Sequence, residues 1–175
     1  MQLLENCLGE GLGAALTGQM GPCLSFTRRV ERFLRTSPGQ VPIVRTTILS
    51  VALPCQLIAY NQQPDPKLLT SIEAHVQALE AVSLPAAAGH AVLYRACLEA
   101  AQGQVDRARL GWLRTAELLP EHLDGICAER QAIAEDRGAR AAAQRREIDD
   151  ALRALGVHDP AAFASARVPR GARGR

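Results

Sequence analysis

The residues of this 175-residue chain that could carry chemistry are four histidines, two adjacent acidic pairs, five cysteines and a glycine-spaced segment near the start. A zinc hydrolase of helical type would need two histidines at i, i+4 on one helix, or an H-E-x-x-H run. His75, His90, His122 and His158 provide neither. His90 and His122 each border an expected helix start, where a solvated polar residue is the usual occupant, so no metal centre is expected. Glu135-Asp136 and Asp149-Asp150 are the acidic pairs. Adjacent residues on a helix point about 100° apart, so neither pair makes a facing carboxylate dyad. Solvated faces paired with Arg137, Arg145, Arg146 or Arg153 are the expected arrangement, and such exposed pairs stabilise little.

Gly9-x-Gly11-x-Gly13 follows no strand-like run and precedes no acidic residue at the distance a dinucleotide loop requires. The chain has no G-x-S-x-G, P-loop, kinase glycine-rich loop, H-R-D or D-F-G sequence. No catalytic residue and no cofactor is therefore expected. Cys7, Cys23, Cys55, Cys97 and Cys127 are odd in number, widely spaced and without a C-x-x-C. Buried reduced thiols in a cytoplasmic protein are the expectation.

Arginine supplies nearly all the positive charge, Lys67 being the only lysine, and the net charge is +2. Arg137, Arg140, Arg145 and Arg146 cluster, and residues 167–175 add four more arginines with no acid. Such a face could hold a phosphate backbone. Glu147, Asp149 and Asp150 balance it, however, and no aromatic stands among the arginines to stack a base. Nucleic acid is thus the alternative partner rather than the first. The tail, 167–175, is expected to be disordered.

The elements that would position these residues are all helical. Aromatics are 3% of the chain while apolar residues are 47%. An interior rich in alanine and leucine suits helices packed closely on helices. Residues 1–20 hold Gly9, Gly11, Gly13 and Gly18 and read as a weak or frayed first helix, whose start at Met1 suggests a domain cut from something longer. A second helix opens at Gly21-Pro22 and stops at Thr36-Ser37-Pro38-Gly39. The third, 41–60, is apolar around most of its circumference and is expected to be central, with a bend at Pro54. Its most apolar run, 48–59, is shorter than the roughly 20 residues that span a bilayer. The fourth begins at Pro66 with Asp65 as its cap.

The fifth and sixth lie within 88–120, joined at Gln102-Gly103-Gln104. Leu93, Ala96, Cys97 and Ala100 face Val105, Ala108, Trp112 and Ala116. A seventh spans 121–136 and an eighth 139–155, with Leu155 inward and Gly156 as its C-cap. A short turn follows from Asp159-Pro160 through Phe163. The sum is one all-α domain over 1–166, about eight helices in antiparallel hairpins.

The hairpin resembles one tetratricopeptide unit, with Ala96 at the first small position, Gly103 at the turn, Ala108 in the second helix and Pro120 at its close. Over about 24–170 the order of segments resembles the helical-repeat tails of large bacterial serine/threonine protein kinases. The segments are Val41-Pro42-Ile43-Val44-Arg45, Pro64-Asp65-Pro66-Lys67-Leu68-Leu69, the glycine-turn hairpin, Ala141 to Arg146, and Gly156-Val157-His158-Asp159-Pro160-Ala161. The kinase domain itself is absent. The resemblance implies a stacked tetratricopeptide-like array and a non-catalytic, regulatory or partner-binding role in bacterial signalling. It also implies that the chain is the tail of, or a fragment from, such a kinase. The expected partner is a protein or peptide, with no membrane. Arg95, Glu99, Arg107 and Arg114 are the candidate residues of its groove.

Overall fold

The computed structural model describes residues 2–134, 136 and 138–171, with the side chains of 2–5, 7 and 8 left undescribed. Among the described residues there are nine α-helices and no strand. They are α1 (Gln2–Thr17), α2 (Met20–Leu34), α3 (Pro42–Gln62), α4 (Pro66–Glu80), α5 (Pro85–Ala101), α6 (Val105–Leu118), α7 (Leu123–Ala132), α8 (Ala139–Ala154) and α9 (Pro160–Arg167). A 3₁₀ turn, Pro38–Gln40, separates α2 from α3.

Local chemistry accounts for the helix ends. Asp65 accepts from the Lys67 N–H at 2.9 Å and Asp159 from the Ala162 N–H at 2.9 Å, each just before a proline in the first turn. These side chains satisfy amide donors that the helix itself leaves unpaired. The second of these caps begins a full helix, α9, where a short turn was expected. Gly156, at φ +87°, ends α8 in the left-handed region as a C-cap glycine does.

The interior is built on α3. Leu49, Leu53 and Leu57 are fully buried there and meet Phe26 of α2, Ile72 and Leu79 of α4, and Leu93 and Tyr94 of α5 in one core. By length and composition the 21-residue α3 is long and apolar enough to cross a membrane, longer than its most apolar run suggested. In this fold 67% of its most apolar window is buried. Near the start of the chain α1 runs as one helix over Gln2–Thr17. At Gly11 any Cβ would run into Phe26 and Val51, so glycine there allows α1 to lie directly on α2 and α3. Two expected inward residues point out, Val105 at 59% exposure and Leu155 at 61%.

Pro54 sits inside α3 and has no N–H for the Ser50 carbonyl one turn back. The Tyr94 hydroxyl of α5 donates to that carbonyl at 2.5 Å. Burial raises the Tyr94 pKa well above its ordinary value, which keeps the phenol protonated and able to donate. The proline and the tyrosine are therefore one device: the first leaves an acceptor free and the second satisfies it. Tyr94→Phe should cost about 1–3 kcal/mol, the penalty of a buried unsatisfied carbonyl. The same change beside Pro54→Ala should cost less, because an alanine in place of the proline restores the helical donor. Equal costs in the two backgrounds, measured by urea unfolding, would separate the two residues.

Contacts beyond neighbouring helices shape the whole. The α5–α6 hairpin packs tightly, and a Cβ on Gly111 would stand 2.6 Å from the Ala96 methyl. Ala96, Ala108 and Trp112 are buried between and behind the pair, as their spacing indicated. The last helix, α9, packs against α1, α3, α7 and α8. The two ends of the fold meet, whereas in a linear stack each repeat touches only its neighbours. Residues 167–171, expected to begin a disordered tail, continue into this packing: Val168 is fully buried and Pro169 is buried beside it. The rest of the expected tail, 172–175, lies outside the described residues.

Candidate functional site

Among the described residues, two of the places that gather polar groups around a defined geometry bear on the candidate residues. The first lies where α5, α7 and α9 meet. Asp124, in the first turn of α7, is fully buried. Arg167, at the end of α9, grips it in a fork, with Nε donating to Oδ1 at 2.7 Å and Nη2 to Oδ2 at 2.7 Å. His90 of α5 reaches Oδ2 with Nε2 at 2.9 Å. An ionised carboxylate only accepts, so the His90 proton is on Nε2. His122 caps α7: its Nδ1 accepts the Asp124 N–H at 3.2 Å and stands 3.7 Å from Oδ2. That nitrogen is therefore bare, and a neutral His122 carries its proton on Nε2.

Electrostatics keep this cluster charged. Burial would push the Asp124 carboxyl up, but the Arg167 guanidinium and the His90 hydrogen bond outweigh it and hold its pKa below the ordinary value. Burial likewise opposes the Arg167 charge, and Asp124 more than restores it, so its pKa rises. Burial lowers the His122 pKa, with Asp124 opposing. The His90 ring stacks at 6.3 Å from Tyr94 and meets His122 edge-on at 5.1 Å. Three helices are thereby fastened at one carboxylate. Neither His90 nor Asp124 reaches solvent, so a substrate could meet only His122, whose side chain is 47% exposed.

The sequence alone points elsewhere for these residues. His90 lies within α5 and is buried at 4% exposure, instead of solvated at a helix start. Arg167 falls at the start of the expected basic tail, and Asp124 is not among the candidate residues. The signal that could have found Asp124 is its setting, Leu123-Asp124-Gly125-Ile126-Cys127, an acid within an apolar run beside a glycine. At Gly125 a Cβ would strike the Leu119 carbonyl, so α7 lies hard against the end of α6 there.

The second place is a groove of about 440 Å³ across α4, α5 and α6. Ala88, Ala91, Val92 and Gly111 make an apolar floor, and Glu80, Arg95 and Glu99 supply the charge. Arg95 donates to Glu80 at 2.8 Å. Of the four candidate groove residues, the structure brings together Arg95 and Glu99. Arg107 lies at the hairpin turn, donating to Gln104 at 3.1 Å, and Arg114 pairs with Glu117 at 2.6 Å on the outer face of α6.

The basic cluster of the eighth helix is partly spent inside the fold. Arg145 donates to the carbonyls of Ile133, Ala134 and Asp136, satisfying the backbone after α7. Asp149 pairs with Arg130 at 2.6 Å, Asp150 with Arg153 at 2.7 Å, and Asp136 with Arg109 at 2.6 Å. Arg140 and Arg146 are exposed. Glu135 and Arg137 lie outside the described residues. Arg170 donates to the Gln131 carbonyl at 2.6 Å and lies 5.9 Å over the Trp112 ring. Cys23, Cys55, Cys97 and Cys127 are free and buried, and burial pushes the last two up to about 12. Cys97 and Cys127 therefore stay protonated at neutral pH.

No family model, no curated protein and no solved structure matches the chain.

Proposed function

We propose that the protein is a non-catalytic interaction domain that binds a segment of a partner protein along the groove of α4, α5 and α6. The observation that carries this reading is the pairing of an apolar floor with an unequal rim. Glu80 and Arg95 balance each other, which leaves the Glu99 carboxylate as the groove's net charge. The complementary ligand is a peptide with a lysine or arginine next to a small apolar side chain. Apolar burial would supply affinity, and the charge would set register and orientation. The α5–α6 hairpin serves in this reading as one tetratricopeptide-like unit, with its groove used as such units use theirs. The ordered motifs shared with kinase tails would place that interaction in bacterial signalling.

An array of synthetic peptides with Arg or Lys beside Ala, Val or Leu supplies the probe, followed by fluorescence polarisation on the tightest binder. Glu99→Lys should weaken binding at least tenfold, and Ala88→Trp, which fills the groove from an exposed position, should do the same. Both variants should keep the native circular dichroism spectrum. Unchanged affinity in both, or a preference for acidic peptides, would remove this groove as the binding surface.

A further inference from the structure

We propose that His90, His122 and Asp124 form a binding site for a divalent transition metal of the zinc class. His90 comes from the middle of α5, and the other two from the start of α7. One donor atom of each lies within 4.8 Å of the donor atoms of the other two. Two imidazoles and a carboxylate are a ligand set that zinc adopts when its fourth position stays open. Asp124 Oδ2 is 2.9 Å from His90 Nε2 and 3.7 Å from His122 Nδ1. Donors on a tetrahedral zinc with bonds of about 2.0–2.1 Å stand roughly 3.3 Å apart. The two spacings bracket that value, and the third pair of donors, on His90 and His122, lies within 4.8 Å.

Exposure is the observation, independent of the spacing, that bears on a ligand. His90 is 4% exposed, and its Nδ1 is buried without a hydrogen-bond partner. His122, by contrast, has a side chain 47% exposed, which opens a path from solvent to an otherwise closed cluster.

The surroundings fit a ligand carboxylate. Arg167 holds Oδ1 through Nε at 2.7 Å and Oδ2 through Nη2 at 2.7 Å, fixing the carboxylate plane as outer contacts of metal ligands do, so the metal would share Oδ2 with the guanidinium. The same guanidinium places a positive charge near the ion, so this site should bind more weakly than one without a cationic neighbour. On binding, the metal takes the place of the proton between His90 and Asp124. That proton moves to Nδ1 and the imidazole stays neutral, while His122 exchanges its hydrogen bond from the Asp124 N–H for the metal. The site is separate from the α4–α5–α6 groove and does not depend on it.

Calorimetric titration of the full chain with zinc chloride, and visible spectroscopy with cobalt chloride, test the assignment. The expected result is one equivalent of zinc, with tetrahedral cobalt bands that zinc displaces. His122→Asn keeps an N-cap oxygen for α7 while removing the imidazole, and should lower zinc affinity at least tenfold. His158→Ala, at an exposed site, should leave it unchanged. Zinc should also raise the melting temperature of the native chain and not that of His122→Asn. Absence of saturable binding, equal affinity in His122→Asn, or a cobalt–thiolate charge-transfer band would each overturn the proposal.

Discussion

Replacing Asp124 with asparagine should lower the unfolding free energy by about 3–5 kcal/mol, the cost of removing one partner of a buried ion pair. Asparagine has nearly the same shape, so no cavity contributes. What changes is that Arg167, with its side chain only 12% exposed, keeps its charge and loses its counter-charge. The guanidinium fork and the His90 N–H then compete for a single neutral oxygen. The effect should appear as a shift of the urea midpoint at unchanged slope. Adding Arg167→Met should recover much of the loss, since a neutral pair of similar volume is often as stable as a buried ion pair. If the two substitutions add without coupling, the ion pair is not what fastens α5, α7 and α9.

Why this fastening was hidden in the sequence, while the helices were visible, follows from separation along the chain. A cap acts over two or three residues, so Asp65, Asp159 and Gly156 could be read directly. The hairpin was legible for the same reason: Leu93, Ala96, Cys97, Ala100, Ala108 and Trp112 face inward at the period of a helix. Asp124 meets residues 34 positions before it and 43 after it. No local pattern encodes that meeting. Charge counting also misled in a specific way. It treats every arginine as a surface group, yet Arg145 caps carbonyls, Arg167 neutralises a buried acid and Arg170 covers Trp112. The groove was half legible: the exposed charges of the hairpin pointed to Arg95 and Glu99, but Glu80 and the floor at Ala88 and Val92 come from how α4 crosses α5.

Ending the chain after Ala166 should abolish cooperative unfolding, and ending it after Gly171 should leave stability close to that of the full chain. The first cut removes Arg167 and so exposes the same uncompensated Asp124 charge, worth about 3–5 kcal/mol. It also removes Val168, fully buried, whose side chain contributes about 1.5–3 kcal/mol by its transfer from water. The loss extends to the backbone. Gln131 Nε2 donates to the Val168 carbonyl at 3.2 Å and Asn61 Nδ2 to that of Arg170 at 2.6 Å, while Arg170 donates to the Gln131 carbonyl at 2.6 Å. Each would leave a polar group of α3 or α7 without its partner. Against the roughly 5–15 kcal/mol that holds an ordinary domain folded, these losses are decisive. The second cut spares them all, including the approach of Gly171 to the Ala100 carbonyl, where a Cβ would not fit. Thermal melting followed by circular dichroism separates the cases. A 1–166 chain that melts cooperatively within a few degrees of the full protein would mean that the last packed segment is a passenger. A broad, non-cooperative transition would mean that the arginine-rich end closes the fold, by bringing its charge to the buried acid that needs it.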